Sequence, residues 1–145
     1  MSKVVHISEA ASIAIHSLAI IASSPVKINA RQISQLTGSS LNHLSKVMQL
    51  LVKNGYIISN RGPSGGFVLN TPADKITLLE VYEYIEGVID CQFCGIPDSK
   101  CPFVSCVFGS KAETFTEEFK TYLRETTISN LTTKRDLYEK ENHSN

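Results

Sequence analysis

Two amphipathic segments meet at a glycine, and that junction leaves few folds open. Asn29 is a good N-cap, and Gln32 three residues later completes a capping-box pattern. Ile33 and Leu36 are expected to face inward, and Gly38 breaks the helix. Ser39-Ser40 then offers a fresh N-cap. Leu41, Leu44, Met48 and Leu51 follow at spacings of 3, 4 and 3, a 3.6-residue period that Gly55 ends. Asn42, His43, Ser45, Lys46 and Gln49 fall on the opposite face. Two helices joined by a tight turn with a glycine read as a helix-turn-helix.

Charge indicates what such a motif would meet. The 45 residues from Val26 to Asn70 contain no Asp or Glu, while Lys27, Arg31, Lys46, Lys53 and Arg61 give the stretch +5. The whole chain is neutral, with 14 basic and 14 acidic residues. Glu9 comes first, and the other 13 acids all follow Thr71. Charge segregated this way makes one face suited to a polyanion, and nucleic acid leads the list of partners.

The neighbouring segments complete a domain. A first helix is expected from about Ser8 to Ser23, with Ala10, Ile13, Ala14, Leu18, Ile21 and Ala22 as its apolar stripe and Pro25 as its stop. Tyr56–Ser59 and Phe67–Leu69 are β-prone runs around the turn-forming tip Asn60-Arg61-Gly62-Pro63-Ser64-Gly65-Gly66, a hairpin of the kind that forms a wing. Pro72 and Thr77 introduce a further helix, with Thr77 and Glu80 as capping box and Leu78, Val81, Tyr82 and Ile85 inward. Gly87 to about Gly109 reads as an irregular loop, and Lys111–Thr127 as a long amphipathic helix carrying Phe115, Phe119, Tyr122 and Leu123. A polar tail, Glu139 to Asn145, is expected to fray. The fold class is mainly α with a small β-hairpin wing. The expected division is a winged helix-turn-helix over 1–87, a cysteine-rich sensor loop over 88–110, and a dimerisation helix with its tail over 111–145.

In a helix-turn-helix the second helix enters the major groove and its first turns meet base edges. Ser39, Ser40, His43, Lys46 and Gln49 are placed for that, with Arg31 on the preceding helix. At the wing tip Arg61 can enter a narrow minor groove. Gly62, Ser64 and Gly65 let backbone approach phosphates closely. The blander reading is a solvated helix face and an ordinary hairpin. Forty-five residues without a carboxylate favour the DNA reading, since like charge against phosphate costs affinity.

All four cysteines, Cys91, Cys94, Cys101 and Cys106, lie within 16 residues. Their spacing points to a metal or a redox role. Thiolates suit zinc and iron–sulfur clusters alike, and an irregular loop gains order from a metal. The alternative is a set of reduced, exposed thiols. Sequence physics alone does not choose between zinc and iron–sulfur.

The totals fit this picture. A chain of 145 residues with 42% apolar and 19% charged residues is an ordinary globular domain. No apolar run approaches the ~20 residues of a membrane span. No signal peptide opens the sequence, so a cytoplasmic protein with reduced thiols is expected. No acid–base set, nucleophile–base arrangement or nucleotide loop suggests an enzyme.

Arg61-Gly62-Pro63-Ser64-Gly65-Gly66-Phe67-Val68-Leu69, Ile76-Thr77-Leu78-Leu79-Glu80-Val81-Tyr82, Ile85-Glu86-Gly87 and the cysteine loop, in that order, closely resemble the Rrf-two (Rrf2) family of bacterial transcription regulators. The resemblance runs from roughly Ile7 to Leu131. It implies a homodimeric winged-helix repressor on a palindromic double-stranded operator, with the C-terminal helix crossing to the partner subunit. It also implies that three loop cysteines hold a 2Fe–2S or 4Fe–4S cluster that senses redox state, nitric oxide or iron–sulfur status. Cys101 and Cys106 match the family's second and third cysteines, and Cys94 or Cys91 the first. The family's fourth ligand has no clear counterpart: Ser12 stands where some members carry an acid, and Val107-Phe108-Gly109 follows Cys106 where others carry a histidine. Glu9 and His16 are nearby substitutes, and the extra cysteine is another. Some members carry no cluster. A cluster-free thiol or zinc regulator, and an adaptor acting through protein contacts, are therefore the rival readings.

Overall fold

The computed structural model describes residues 5–90 and 94–131. Five α-helices and one hairpin carry the fold: α1 (Glu9–Ser23), α2 (Ala30–Thr37), α3 (Leu41–Lys53), β1 (Ile57–Asn60), β2 (Gly66–Leu69), α4 (Leu78–Glu86) and α5 (Lys111–Glu125). Single 3₁₀ turns lie at Ala73–Lys75, Asp98–Lys100 and Ile128–Asn130. The Cys91 position and the tail from Glu139 lie outside the described residues.

Local chemistry sets the helix ends. Ser8 caps α1 from outside the helix, its Oγ accepting from Ala11 N–H at 3.0 Å. The helix stops at Ser24, which is extended (φ −87°, ψ 124°) as the residue before a proline must be. The Asn29–Gln32 box forms in both directions at 2.9 Å. Gly38 closes α2 in the left-handed region at φ 73°, a conformation that favours glycine. Ser40 Oγ accepts from His43 N–H at 3.1 Å and starts α3.

The core gathers on α1, which packs against α3 and α4. Ala11, Ile13, Ala14, Leu18, Ala19 and Ile21 are its buried residues besides Ser17. Ala11 and Ala19 join the expected stripe, Ala10 is half-buried against the core, and Ala22, expected inside, is exposed. On α3 the buried set is Leu44, Val47, Met48 and Leu51, while Leu41 is 41% exposed. Leu36, expected inside, is 59% exposed. An eight-residue helix reaches the core along one narrow strip, and Ile33 fills it. On α4, Leu78 and Val81 are buried and Tyr82 and Ile85 half-buried. Tyr84 donates from its hydroxyl to Leu50 O at 3.0 Å, a second donor to a carbonyl that already accepts from Asn54 N–H at the end of α3.

The hairpin pairs Ile57 with Leu69 and Asn60 with Gly66, antiparallel. It is anchored to the α1–α2 connection by Phe67 N–H donating to Ile28 O at 2.8 Å. α5 ends at Glu125 rather than Thr127, because Thr126 is extended. The chain then lies alongside the segment before α4. Leu78 N–H donates to Thr126 O and Ile128 N–H to Ile76 O, both at 2.9 Å. Ile128 is thereby sealed in the core at 1% exposure. Leu123 is buried on α5 and Phe119 half-buried, but Phe115 and Tyr122 remain more than half exposed.

Candidate nucleic-acid interface and cysteine loop

α3 and the wing border one groove of about 400 Å³. Ser45, Gln49, Lys53, Ser59 and Arg61 supply its polar lining, over Met48, Val52 and Phe67. No carboxylate lines it. Gln49 and Arg61, named separately from the sequence, meet here. Lys53 and Ser59 join them without having been singled out as contacts. Their signal was present: Lys53 counted toward the basic block, and Ser59 ends the β-prone run that leads into the wing tip. Among the described residues, Lys46, Lys53 and Arg61 have no carboxylate partner. Lys46 is exposed on the outer face of α3, and Arg31 on the first turn of α2.

A second, wider groove of about 840 Å³ flanks the wing tip, with Lys27, Asn29, Gln32, Ser64 and Gly65 among its lining. Gly62 sits at φ 106°, with open space where a side chain would be. Gly65 is different. A Cβ there would lie 2.3 Å from Asn60 O, and its N–H already donates to Gly62 O at 2.9 Å. Its missing side chain serves the hairpin itself.

The serines of the turn are also engaged. Ser39 N–H donates to Thr37 Oγ1, Ser39 Oγ accepts from Thr37 Oγ1, and Ser39 O accepts from Ser34 Oγ at 2.6 Å. Ser40 Oγ is the α3 cap. His43 is half-exposed on the first turn of α3, with Nδ1 3.5 Å from a Glu9 carboxylate oxygen. His16 Nδ1 lies 2.7 Å from Ser12 O on its own helix. Both residues weighed as substitute metal ligands thus have neighbours of their own on or beside α1.

The cysteine loop starts where Gly87 ends α4 at φ 90°. Ile89 N–H donates to the Glu83 carboxylate at 3.5 Å, and Ser8 Oγ hydrogen-bonds the Glu86 carboxylate. The root of the loop is therefore tied to the N-terminus of α1. Cys94, Cys101 and Cys106 are exposed free thiols. Among the described residues, no three of His, Cys, Asp and Glu converge on one point. The donor chemistry nevertheless fits a soft metal centre: three accessible thiols on an irregular backbone with one short 3₁₀ turn.

Beyond the loop, an apolar groove of about 320 Å³ runs between α4 and α5, lined by Tyr82, Ile89, Phe115 and Phe119 among others. Burial, with Glu86 adding to it, raises the Tyr82 phenol above its ordinary range. No helix among the described residues is long and apolar enough to cross a membrane.

Comparison with known proteins agrees with this geometry. A protein of Aquifex aeolicus (strain VF5) bearing an HTH-type transcriptional regulator name is 32% identical over 91 residues, 61% of this chain and 63% of that protein. The HTH-type transcriptional regulator IscR of Yersinia enterocolitica is 27% identical over 107 residues, 74% of this chain and 65% of that one. The matches thus span less than two thirds of those relatives' length. Among solved structures, CymR, the global cysteine regulator of B. subtilis, superposes with a TM-score of 0.68 at 20% identity, over 86% of this chain and 94% of CymR. T. potens IscR does so at 0.65 and 18%, over 97% and 90%. These likenesses establish a mainly helical, winged-helix fold. The Rrf2 model, described as an iron-dependent transcriptional regulator, matches residues 7–134, and its relatives are named as regulators rather than enzymes. The chain belongs to the Rrf2 family of transcriptional regulators.

Proposed function

We propose that the chain is a homodimeric repressor that holds double-stranded operator DNA between α3 and the wing, and that its cysteine loop reports redox state, nitric oxide or iron–sulfur status. The carrying observation is the groove in which Gln49, Lys53 and Arg61 stand with no carboxylate beside them. Lys46 and Gln49 would meet base edges or phosphates from α3, and Arg61 the adjacent minor groove. Two such faces need a dimer, and α5 with its exposed Phe115 and Tyr122 is the element we assign to that contact. A palindromic operator follows from the two-fold axis. The three-part division at 87 and 110 goes with this assignment, and a cytoplasmic location with the DNA partner.

Cys94, Cys101 and Cys106, with Cys91 as the fourth thiol, would hold an iron–sulfur cluster. Such a group supplies a centre whose ligation and charge change with oxidant or nitric oxide. The chain's own contribution is connection. Glu83 and Glu86 hold the loop root to α4 and to Ser8, and α1 packs against α3. A displacement of the loop root can thus reach the recognition helix through α1.

The exposure of all three described thiols favours a second reading, a cluster-free thiol or zinc regulator. Metal analysis of anaerobically purified protein separates the two. Iron with sulfide and a visible colour that fades in air supports the cluster; colourless protein with stoichiometric zinc defeats it. The DNA face is tested by Arg61→Glu in a mobility shift with genomic operator fragments. Loss of the shift by a folded dimer is expected, and unchanged affinity removes the wing from the interface.

A further inference from the structure

The acid-poor half of the molecule contains one carboxylate, and its position is not incidental. Glu9 is the only Asp or Glu before Asp74. A carboxylate on a DNA-facing surface repels phosphate, yet this one lies 3.5 Å from Nδ1 of His43 on the first turn of the recognition helix. Both backbones are fixed. Glu9 is the first residue of α1, held by the Ser8 cap and the Ser8–Glu86 bond. His43 N–H is bonded to Ser40 Oγ, the cap of α3.

A neutral imidazole carries one proton, on either Nδ1 or Nε2, and the neighbour of one nitrogen decides which. An ionised carboxylate is acceptor-only, so it favours N–H at the nitrogen facing it. The two tautomers of free imidazole differ little in energy, and even the modest interaction of a part-exposed pair is enough to choose between them. His43 Nε2 has no hydrogen-bond partner among the described residues.

Resting on the DNA-binding reading above, we propose that Glu9 is a positioning residue for base readout. Its carboxylate selects the Nδ1–H tautomer of His43, so that α3 offers Nε2 as an acceptor to an exocyclic amino group in the major groove. Adenine N6 and cytosine N4 are the donors available there, while guanine and thymine present acceptors at the corresponding edge. Without Glu9 the ring is free to present Nε2–H, and the preference turns toward guanine or thymine.

Two measurements on the intact 145-residue chain test this. Nitrogen-15 spectra of the His43 ring, taken at about pH 8, distinguish the two tautomers and the imidazolium. The wild type should show Nδ1–H, Glu9→Ala should shift toward Nε2–H, and Glu9→Gln should retain Nδ1–H because its amide carbonyl still accepts. Selection from randomised duplexes should give the wild type an adenine or cytosine preference at one position per half-site, about three- to tenfold. Glu9→Ala should lose or invert it, and Glu9→Gln should restore it. A wild-type ring in the Nε2–H or imidazolium form overturns the proposal, as does a Glu9→Ala protein with unaltered ring and base preference. These results leave the DNA-binding reading standing if duplex is still bound. A wild-type dimer that binds no duplex overturns both, whatever the ring shows.

Discussion

Gly66 shows how much one missing methyl group can decide. A Cβ at this position would meet Ile28 backbone atoms at 2.8, 2.9 and 3.1 Å, where β2 crosses the α1–α2 connection. Neither partner is a flexible side chain, so the clash can be relieved only by moving the wing. Gly66→Ala should destabilise the fold by about 1–3 kcal/mol, measured by urea unfolding, and weaken duplex binding with it. Wild-type stability would show that the crossing yields. Tyr56, which leads into β1 and whose carbonyl accepts from Asn70 and Thr71 N–H, gives a pH test. Burial first, and the Glu80 carboxylate second, raise its phenol above the ordinary value near 10. The folded state therefore holds this proton more tightly than the unfolded one. The associated stability is intact below pH 10 and lost as pH climbs through the raised folded value. Melting temperature should fall as pH rises above about 10, and Tyr56→Phe should flatten that fall. An equal fall in both proteins would assign it to other groups.

At the level of elements, the least foreseen piece is the short segment after α5. Ile128 closes the core from that segment through backbone bonds to Ile76, and Leu78 reaches Thr126 in the same way. Ile128→Ala should cost about 2–5 kcal/mol, comparable to an interior position of α1, whereas a polar linker position would cost almost nothing. Denaturant titration decides between them. This contrast explains what was legible. Helix ends were readable because Asn29, Gly38 and Ser40 act on atoms within a few residues of themselves. Core faces were readable only in part. Periodicity admits Leu36 and Leu41 as well as Ile33 and Val47, and which rows are covered depends on the neighbouring helices. The α5 extension was unreadable, since nothing in Thr-Thr-Ile-Ser-Asn names Ile76 as its partner. The site divided the same way. Arg61 and Gln49 were marked by type and charge, but the Glu9–His43 contact joins residues 34 apart and needed the packing of α1 against α3.

For the whole molecule, neutrality conceals a strong polarity. Residues 1–73 carry six basic side chains and one acid, a net +5, and residues 74–145 carry eight and thirteen, a net −5. Charge divided this way along the chain draws a polyanion to the basic half. Binding that rests on phosphate neutralisation should weaken with salt by a log–log slope of about −0.9 for each phosphate engaged. If Lys46, Lys53 and Arg61 each engage one phosphate per protomer, the dimer slope is about −5. Lys53 is the informative position, because it lies in the α3–wing groove without being needed for the core. Lys53→Ala should make the slope shallower by about two for the dimer, with the loss felt equally on operator and non-operator duplexes, since a phosphate contact carries no sequence information. Fluorescence anisotropy between about 50 and 200 mM salt measures both quantities. A Lys53→Ala slope equal to the wild type would place the groove off the DNA. A change confined to operator sequence would instead make Lys53 a reader of bases. The intermediate result, a shallower slope with the operator preference preserved, is the one that an acid-free groove shared by helix and wing requires.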